Sequence, residues 1–418
     1  MIKLLSNFKL LVGPIAIMIM LELTFPYFLH KVPLSLHASI DPDLLGLAQY
    51  SKRSLIPDDY ILILGDSNAA GAGDWFVDSV NNRRNLYPDY SAAHLIYKKT
   101  GIDVMSFGQA GAGSFRGMWE NPIAKFLHIN STKNYHLSSS KYILVFFYEG
   151  NDIYDNVKFL RRYAQSEKEM IRNFLNFKFE KALNQNFEKK IWRDMLFTRF
   201  LFKGISNFIN EQISSNEKQA IYYSFPKTPI NVALINGEKA PLPMHLHAPP
   251  LFGIKASDLM LGKKRQLTDE KLKEFHITKE EYKLGLFVFK QTLAKLVEFF
   301  PQTEIKVIFI PSPLSSYQVV SSKVSYVGYR QFENFVETTM IKKRHARICK
   351  DIQFISLAQN VSFLNTTKSL RRAASDEFIH GPIDWGHLNK TGNEVLSTDI
   401  AEVFLKPDGG ARTDNCVY

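Results

Sequence analysis

Gly65-Asp-Ser-Asn68 sets a serine at the end of a short apolar run, and Asp384-Trp-Gly-His387 sets a carboxylate and an imidazole three residues apart far along the chain. A serine on a strand-to-helix turn often only caps the helix, but the same turn exposes a hydroxyl and aims a backbone N–H into a cleft. Asp and His at this spacing share one side of a helical turn, so the carboxylate can hold the ring's Nδ1–H while Nε2 faces outward. Two further turns offer hydrogen-bond donors. Phe107-Gly-Gln-Ala-Gly-Ala-Gly113 lets the backbone approach a ligand and present N–H groups, and Glu149-Gly-Asn-Asp152 carries Asn151, whose amide can serve a developing oxyanion. The glycine order is wrong for a dinucleotide fingerprint, and no acidic residue follows at the end of the next strand.

Each turn needs an element to aim it. Tyr60–Leu64, Asp103–Phe107, Tyr142–Tyr148, Ile305–Ile310 and Ile352–Leu357 are continuous apolar runs, the pattern of parallel strands buried on both faces. Helical patterns lie between them at Ser91–Lys99, Ser114–Leu127, Lys279–Phe300 and Tyr329–Cys349, with a last one at Asn389–Leu405. Strands alternating with helices predict βαβ units, a parallel sheet, and a ligand site at the strands' carboxyl ends, where the turns above fall. The third and fourth runs are too far apart for one crossover, so residues 156–265 are expected to form a helical cap with an extended loop.

The four motifs, in the order Ser, Gly, Asn, Asp-x-x-His, resemble the SGNH (GDSL-like) hydrolase superfamily over about residues 58–152 and 300–405. The resemblance implies an α/β fold of three layers, with a flavodoxin-like, parallel five-stranded sheet. It implies Ser67 as nucleophile, His387 as general base and then acid, and Asp384 orienting His387. Its oxyanion hole would be the backbone N–H groups of Ser67 and Gly111 with the Asn151 side chain. Asn68 stands where the bare GDSL signature has leucine, a departure many of these enzymes tolerate. Gly65-Asp-Ser-Asn-Ala69 is also one residue away from the nucleophile elbow of α/β-hydrolases, but that fold normally carries its acid and histidine on separate loops.

Neither metal nor cofactor is needed by such parts. His245 and His247 lack a third ligand nearby and read as a polar loop, Tyr148, Glu149, Asp155 and Trp385 flank the motifs, and Lys158–Arg193 reads as a solvated helix face.

With 418 residues, 45% of them hydrophobic, and a net charge of +11, the chain is no disulfide-stapled mini-protein, disordered polymer or polytopic membrane protein. The basic excess is spread along the chain without a nucleic-acid-reading motif, so nucleic acid is not an expected partner. Leu10–Leu29 is near the roughly 20 residues that cross a bilayer. Lys3 and Lys9 precede it, and no small-residue cleavage pattern follows. Residues 1–30 are therefore expected to be an uncleaved signal anchor, with everything beyond on the extracytoplasmic side. Residues 31–57 follow as a spacer, 58–155 and 266–406 as the two parts of the hydrolase domain, and 407–418 as a polar tail. Cys349 and Cys416 can pair, though nothing in the sequence pairs them. The expected function is a serine esterase or O-acyltransferase acting on an acylated glycan of the cell envelope. The alternatives are a lysophospholipase or other lipid esterase, and a non-catalytic glycan-binding or assembly protein.

Overall fold

The runs Tyr60–Gly65 (β1), Asp103–Ser106 (β2), Tyr142–Tyr148 (β3), Glu304–Ile310 (β4) and Ser362–Asn365 (β5) form one all-parallel sheet in the spatial order β2-β1-β3-β4-β5. They belong to a computed structural model that describes residues 2–75, 91–184, 195–213, 230–244, 246–252, 260–261, 277–327, 333–405 and 416. The strand order reverses between β1 and β3, so the crevice for a ligand opens beyond the carboxyl ends of those two strands. Leu62, Leu64, Val145 and Phe147 enter one apolar core, while Ile61, Ile63, Leu144 and Phe146 enter the other. With both faces covered, no position on these strands needs to be polar.

The helices, in chain order, are α1 (Ile2–Phe28), α2 (Ser67–Ala70), α3 (Ala92–Thr100), α4 (Asn121–Ser131), α5 (Asp152–Arg162), α6 (Lys168–Leu183) and α7 (Leu196–Ile213). After them come α8 (Lys279–Phe299), α9 (Pro313–Ser316), α10 (Thr338–Leu357), α11 (Thr367–Asp376) and α12 (Lys390–Leu405). The first core draws on α4, α5, α6, α8 and α10, the second on α3, α11 and α12.

The fifth strand is not where the apolar run Ile352–Leu357 puts it. Those residues end α10, with Ile352 buried but Phe354 and Leu357 exposed, and the strand is the shorter Ser362–Asn365. A helix expected over Tyr329–Cys349 likewise begins only at Thr338, because Glu333–Glu337 pairs as a strand; Tyr329 lies outside the described residues.

Between β3 and β4, α5 runs straight through residue 156. After α6 and α7 the chain turns to strands: Asn231–Ile235 pairs with Glu238–Leu242, and Leu246–His247 and Met260–Leu261 join Lys323–Val327 and Glu333–Glu337 in a second sheet. The region is thus helical first and β afterwards, tied to residues that follow β4. Residues 31–57 are more than a spacer. Leu44, Leu47 and Ala48 are buried in the first core, and Gln49 and Ser51 bond the backbone of Ser106 and Val104, covering the outer edge of β2.

Helix α1 is long and apolar enough, over Gly13–Lys31, to cross a membrane, and only 11% of that window is buried by protein. Its one acidic residue, Glu22, accepts the N–H groups of Phe197 and Thr198 and the Thr198 hydroxyl, at 2.9, 2.9 and 2.7 Å, and so caps α7. Cys349 on α10 is disulfide-bonded to Cys416.

Candidate active site

The sharp exit from β1 positions the serine. Gly65 leads into Asp66, whose side chain accepts the Asn68 N–H at 2.9 Å and caps the single turn α2, placing Ser67 at its first position, 7% exposed. The glycine turn after β2 packs on this corner. A Cβ on Gly108 would lie 2.3 Å from the Ala70 nitrogen, so only glycine lets the two turns meet.

Far along the chain, the loop between α11 and α12 brings the acid and the imidazole to the serine. His387 Nε2 lies 2.7 Å from Ser67 Oγ, and His387 Nδ1 lies 2.7 Å from Asp384 Oδ2. Asp384 Oδ1 accepts the Gly386 N–H at 2.9 Å, which fixes the carboxylate plane. The loop itself is held by Asp74, which accepts the N–H of Asp384 at 2.6 Å and that of Ile383 at 3.4 Å. Tyr148, at the end of β3, donates its hydroxyl to the Gly386 carbonyl at 3.0 Å and meets His247 Nδ1 at 3.1 Å.

Charge follows geometry. Burial pushes His387 down, but its hydrogen bond to Asp384 and the charges of Asp384, Asp66 and Asp74 outweigh this and leave it above its ordinary value. Burial pushes Asp384 up, but the bond and charge of His387 and the Gly386 N–H bring it below the usual carboxylate range. An imidazole made more basic by an ionised carboxylate is the form that can take a hydroxyl proton. Asp66 and Asp152 are both raised, chiefly by burial, and Asp66 adds repulsion to Asp152. Burial also lifts Asp155, to about 6.

Asn151 caps α5 without using its side chain, and its amide reaches Asp66, beside Ser67. Its Oδ1 is buried with no protein partner among the described residues. Gly111 adopts φ +67, a left-handed turn that favours glycine, and lines a shallow cleft with Arg116, Asp155, Lys158 and Arg162.

Ser67, Asp384 and His387 are thus in direct contact, Asn151 adjoins them through Asp66, and Gly111 lines the neighbouring cleft. His247 corrects the sequence reading: it sits half-buried on a short strand with its ring against Tyr148, not on a polar loop, and desolvation pushes it down to about 4. His245 lies outside the described residues, as do residues 185–193 of the basic stretch. Asp74 was missed; its only signal is an acid seven residues after the serine in a glycine-rich turn. His345 was also missed. It pairs with Glu149 inside the core, and nothing in the basic run around it points to burial. Among the described residues one set of side chains could hold a metal, Asp41, Asp43 and His128, but it shares no residue with this site and Arg199 already pairs with Asp41.

No known family profile matches the chain, and no curated protein is significantly similar to it.

Proposed function

We propose that this chain is a membrane-tethered serine esterase or O-acyltransferase of the SGNH (GDSL-like) type, working outside the cytoplasm on acyl esters, with O-acetylated cell-envelope polysaccharide as its substrate class. The observation that carries the reading is the continuous relay Ser67–His387–Asp384, 2.7 Å at each step. Ser67 Oγ attacks the ester carbonyl carbon as its proton passes to His387 Nε2, and Asp384 stabilises the imidazolium. The Ser67 and Gly111 N–H groups and the Asn151 amide hold the oxyanion. Collapse breaks the bond to the alcohol, which leaves with the proton from His387. Water, or the hydroxyl of an acceptor sugar, then attacks the acyl-serine by the same route in reverse.

Three observations support the rest. The Cys349–Cys416 bridge fits an oxidising compartment, and lysines ahead of an apolar helix favour a cytoplasmic N-terminus. The cleft beside Gly111 sets three cations, Arg116, Lys158 and Arg162, against one acid, Asp155, with Phe115 and Phe159 beside them, which suits a polar glycan with anionic groups better than a fatty acyl chain. A fluorophosphonate probe tests the chemistry. It should label the wild-type chain and not Ser67→Ala, and equal labelling of both would refute the nucleophile. Acetate rather than fatty acid released from envelope material would favour the glycan over the lipid substrate.

A further inference from the structure

Helix α7 packs one face on protein and keeps large apolar side chains exposed on the other. Toward the body, Phe197 and Phe200 pack on Phe25 with ring centroids 5.5 and 4.9 Å apart, Arg199 pairs with Asp41, and Lys203 Nζ donates to the Ile40 carbonyl at 2.8 Å. Asn207 donates to the Ala38 carbonyl at 3.3 Å. On the opposite side Leu201, Phe202, Ile205 and Ile209 are 38, 60, 48 and 49% exposed, at the i, i+1, i+4, i+8 spacing of a single stripe. A helix that turns its cations inward and its large apolar side chains outward reverses the pattern of a helix facing water.

The stripe stands on a helix packed directly against α1, whose own apolar side chains are exposed. Glu22 caps α7 and so locks its first turn to α1, and within about one turn of Glu22 lies exposed Leu23 and, beyond it, Tyr27. A bare carboxylate in hydrocarbon would be costly. Here α7 supplies three donors to it, so the level of Glu22 is where protein begins to replace lipid around α1.

We propose that α7 is an interfacial helix. It lies along the bilayer that α1 crosses, with Leu201, Phe202, Ile205 and Ile209 seated at the headgroup–acyl boundary. The occupant of this face is lipid, because the face stands on a helix locked to α1, the helix that enters lipid, and carries no charge of its own to meet a polar partner. The proposal rests on the reading of α1 as a membrane span. Its consequence is an anchor with two points of contact, which fixes the tilt of the catalytic body where a single helix would let it swing.

Both native cysteines are bonded to each other, so Ile205→Cys gives the full chain one reactive thiol. Labelled with an environment-sensitive fluorophore and placed in vesicles of phosphatidylcholine and phosphatidylglycerol, it should be quenched by a lipid with a shallow nitroxide. Aqueous iodide should quench it several-fold less than the same label at Arg372→Cys, an exposed position on α11 across the sheet. Iodide quenching equal to that at 372, with no effect of the nitroxide lipid, would overturn the proposal. Protection from both quenchers would also overturn it, since a second copy of the chain would then cover the face. A label at Ile17→Cys that a deep nitroxide fails to quench would remove the span and this inference with it. No readout uses turnover, so these failures are distinct from failure of the esterase reading.

Discussion

Two carboxylate–imidazole pairs stand out among the described residues, each with 2.7 Å between nitrogen and oxygen, and their surroundings differ. Glu149, directly after β3, holds His345 of α10; the two side chains are 0 and 1% exposed. The other Glu149 oxygen accepts both the N–H and the hydroxyl of Ser312 at 2.8 Å, and the Phe309 ring lies against the imidazole. This pair ties the end of β3 to α10 and to the residues after β4. Asp384 and His387 are 21 and 18% exposed, and the far nitrogen of His387 meets the Ser67 hydroxyl. An acid–histidine contact is therefore no sign of catalysis by itself. What the second ring nitrogen faces, and whether substrate can reach it, decides the role.

The strongest way to break this contrast is to remove each histidine. His387→Ala, like Ser67→Ala, should lower kcat on a small activated acetyl ester by roughly 10⁶-fold, the scale seen when one member of a coupled triad is lost. His345→Ala, assayed well below its unfolding temperature, should keep turnover within about tenfold, since only a positional shift reaches the site. Equal losses in two variants with intact circular dichroism would show that the sealed pair takes part in the chemistry.

Asp384→Asn comes next, at about 10⁴-fold in kcat. It also sharpens the comparison through pH. His387 must be neutral to act as base, and Asp384 holds it above its ordinary value, so wild-type kcat/KM should fall as pH drops through that raised value. Without the Asp384 charge the acid limb should move to lower pH. A limb that stays in place would mean that another group titrates.

How far these pairs could be read from sequence depended on distance along the chain. Asp384 and His387 are three residues apart, so local spacing announces them, and the continuous apolar runs announced four of the five strands. Glu149 and His345 are 196 residues apart, and His345 sits in Lys342-Lys-Arg-His-Ala-Arg347, a run that reads as a solvated face until tertiary packing buries one member. Ile352–Leu357 misled for the converse reason. A continuous apolar run fits a buried strand and the end of a buried helix alike, and here the exposed Phe354 gave no warning in the sequence. Asp74 works through backbone N–H groups, which every residue but proline carries, so no partner type could mark it.

Stability should reverse the ranking of the pairs. Glu149→Ala takes their shared carboxylate away from the Ser312 N–H and from His345 in the core, and should cost about 3–5 kcal/mol in chemical denaturation. Asp384→Ala, at the solvent edge, should cost nearer 1 kcal/mol. The pH dependence has a sign as well. Burial raises Glu149, but the charge and bond of His345 and the Ser312 N–H bring it below its ordinary value. Its stabilisation is therefore complete above the unfolded-state value and lost as pH falls through the depressed folded one. Wild type should lose more stability on acidification than Glu149→Ala; parallel curves would mean that Glu149 is not ionised in the folded state.

The smallest expected effect probes the link between the two regions. Tyr148 ends the strand that Glu149 follows, yet its hydroxyl reaches the Gly386 carbonyl, next to the His387 imidazole, and meets His247 from the inserted region. Since the hydroxyl donates to Gly386, it accepts from His247 Nδ1, and burial keeps that ring neutral down to about pH 4. Tyr148→Phe removes both bonds without touching a proton in flight. It should lower kcat by about tenfold, a barrier change of roughly 1.4 kcal/mol, with KM unchanged and the acid limb where wild type has it. A loss as deep as that of Asp384→Asn would place the tyrosine among the groups that touch the reaction. No loss at all would mean that Asp74 alone holds the His387 loop, and that the inserted region meets the active site without steering it.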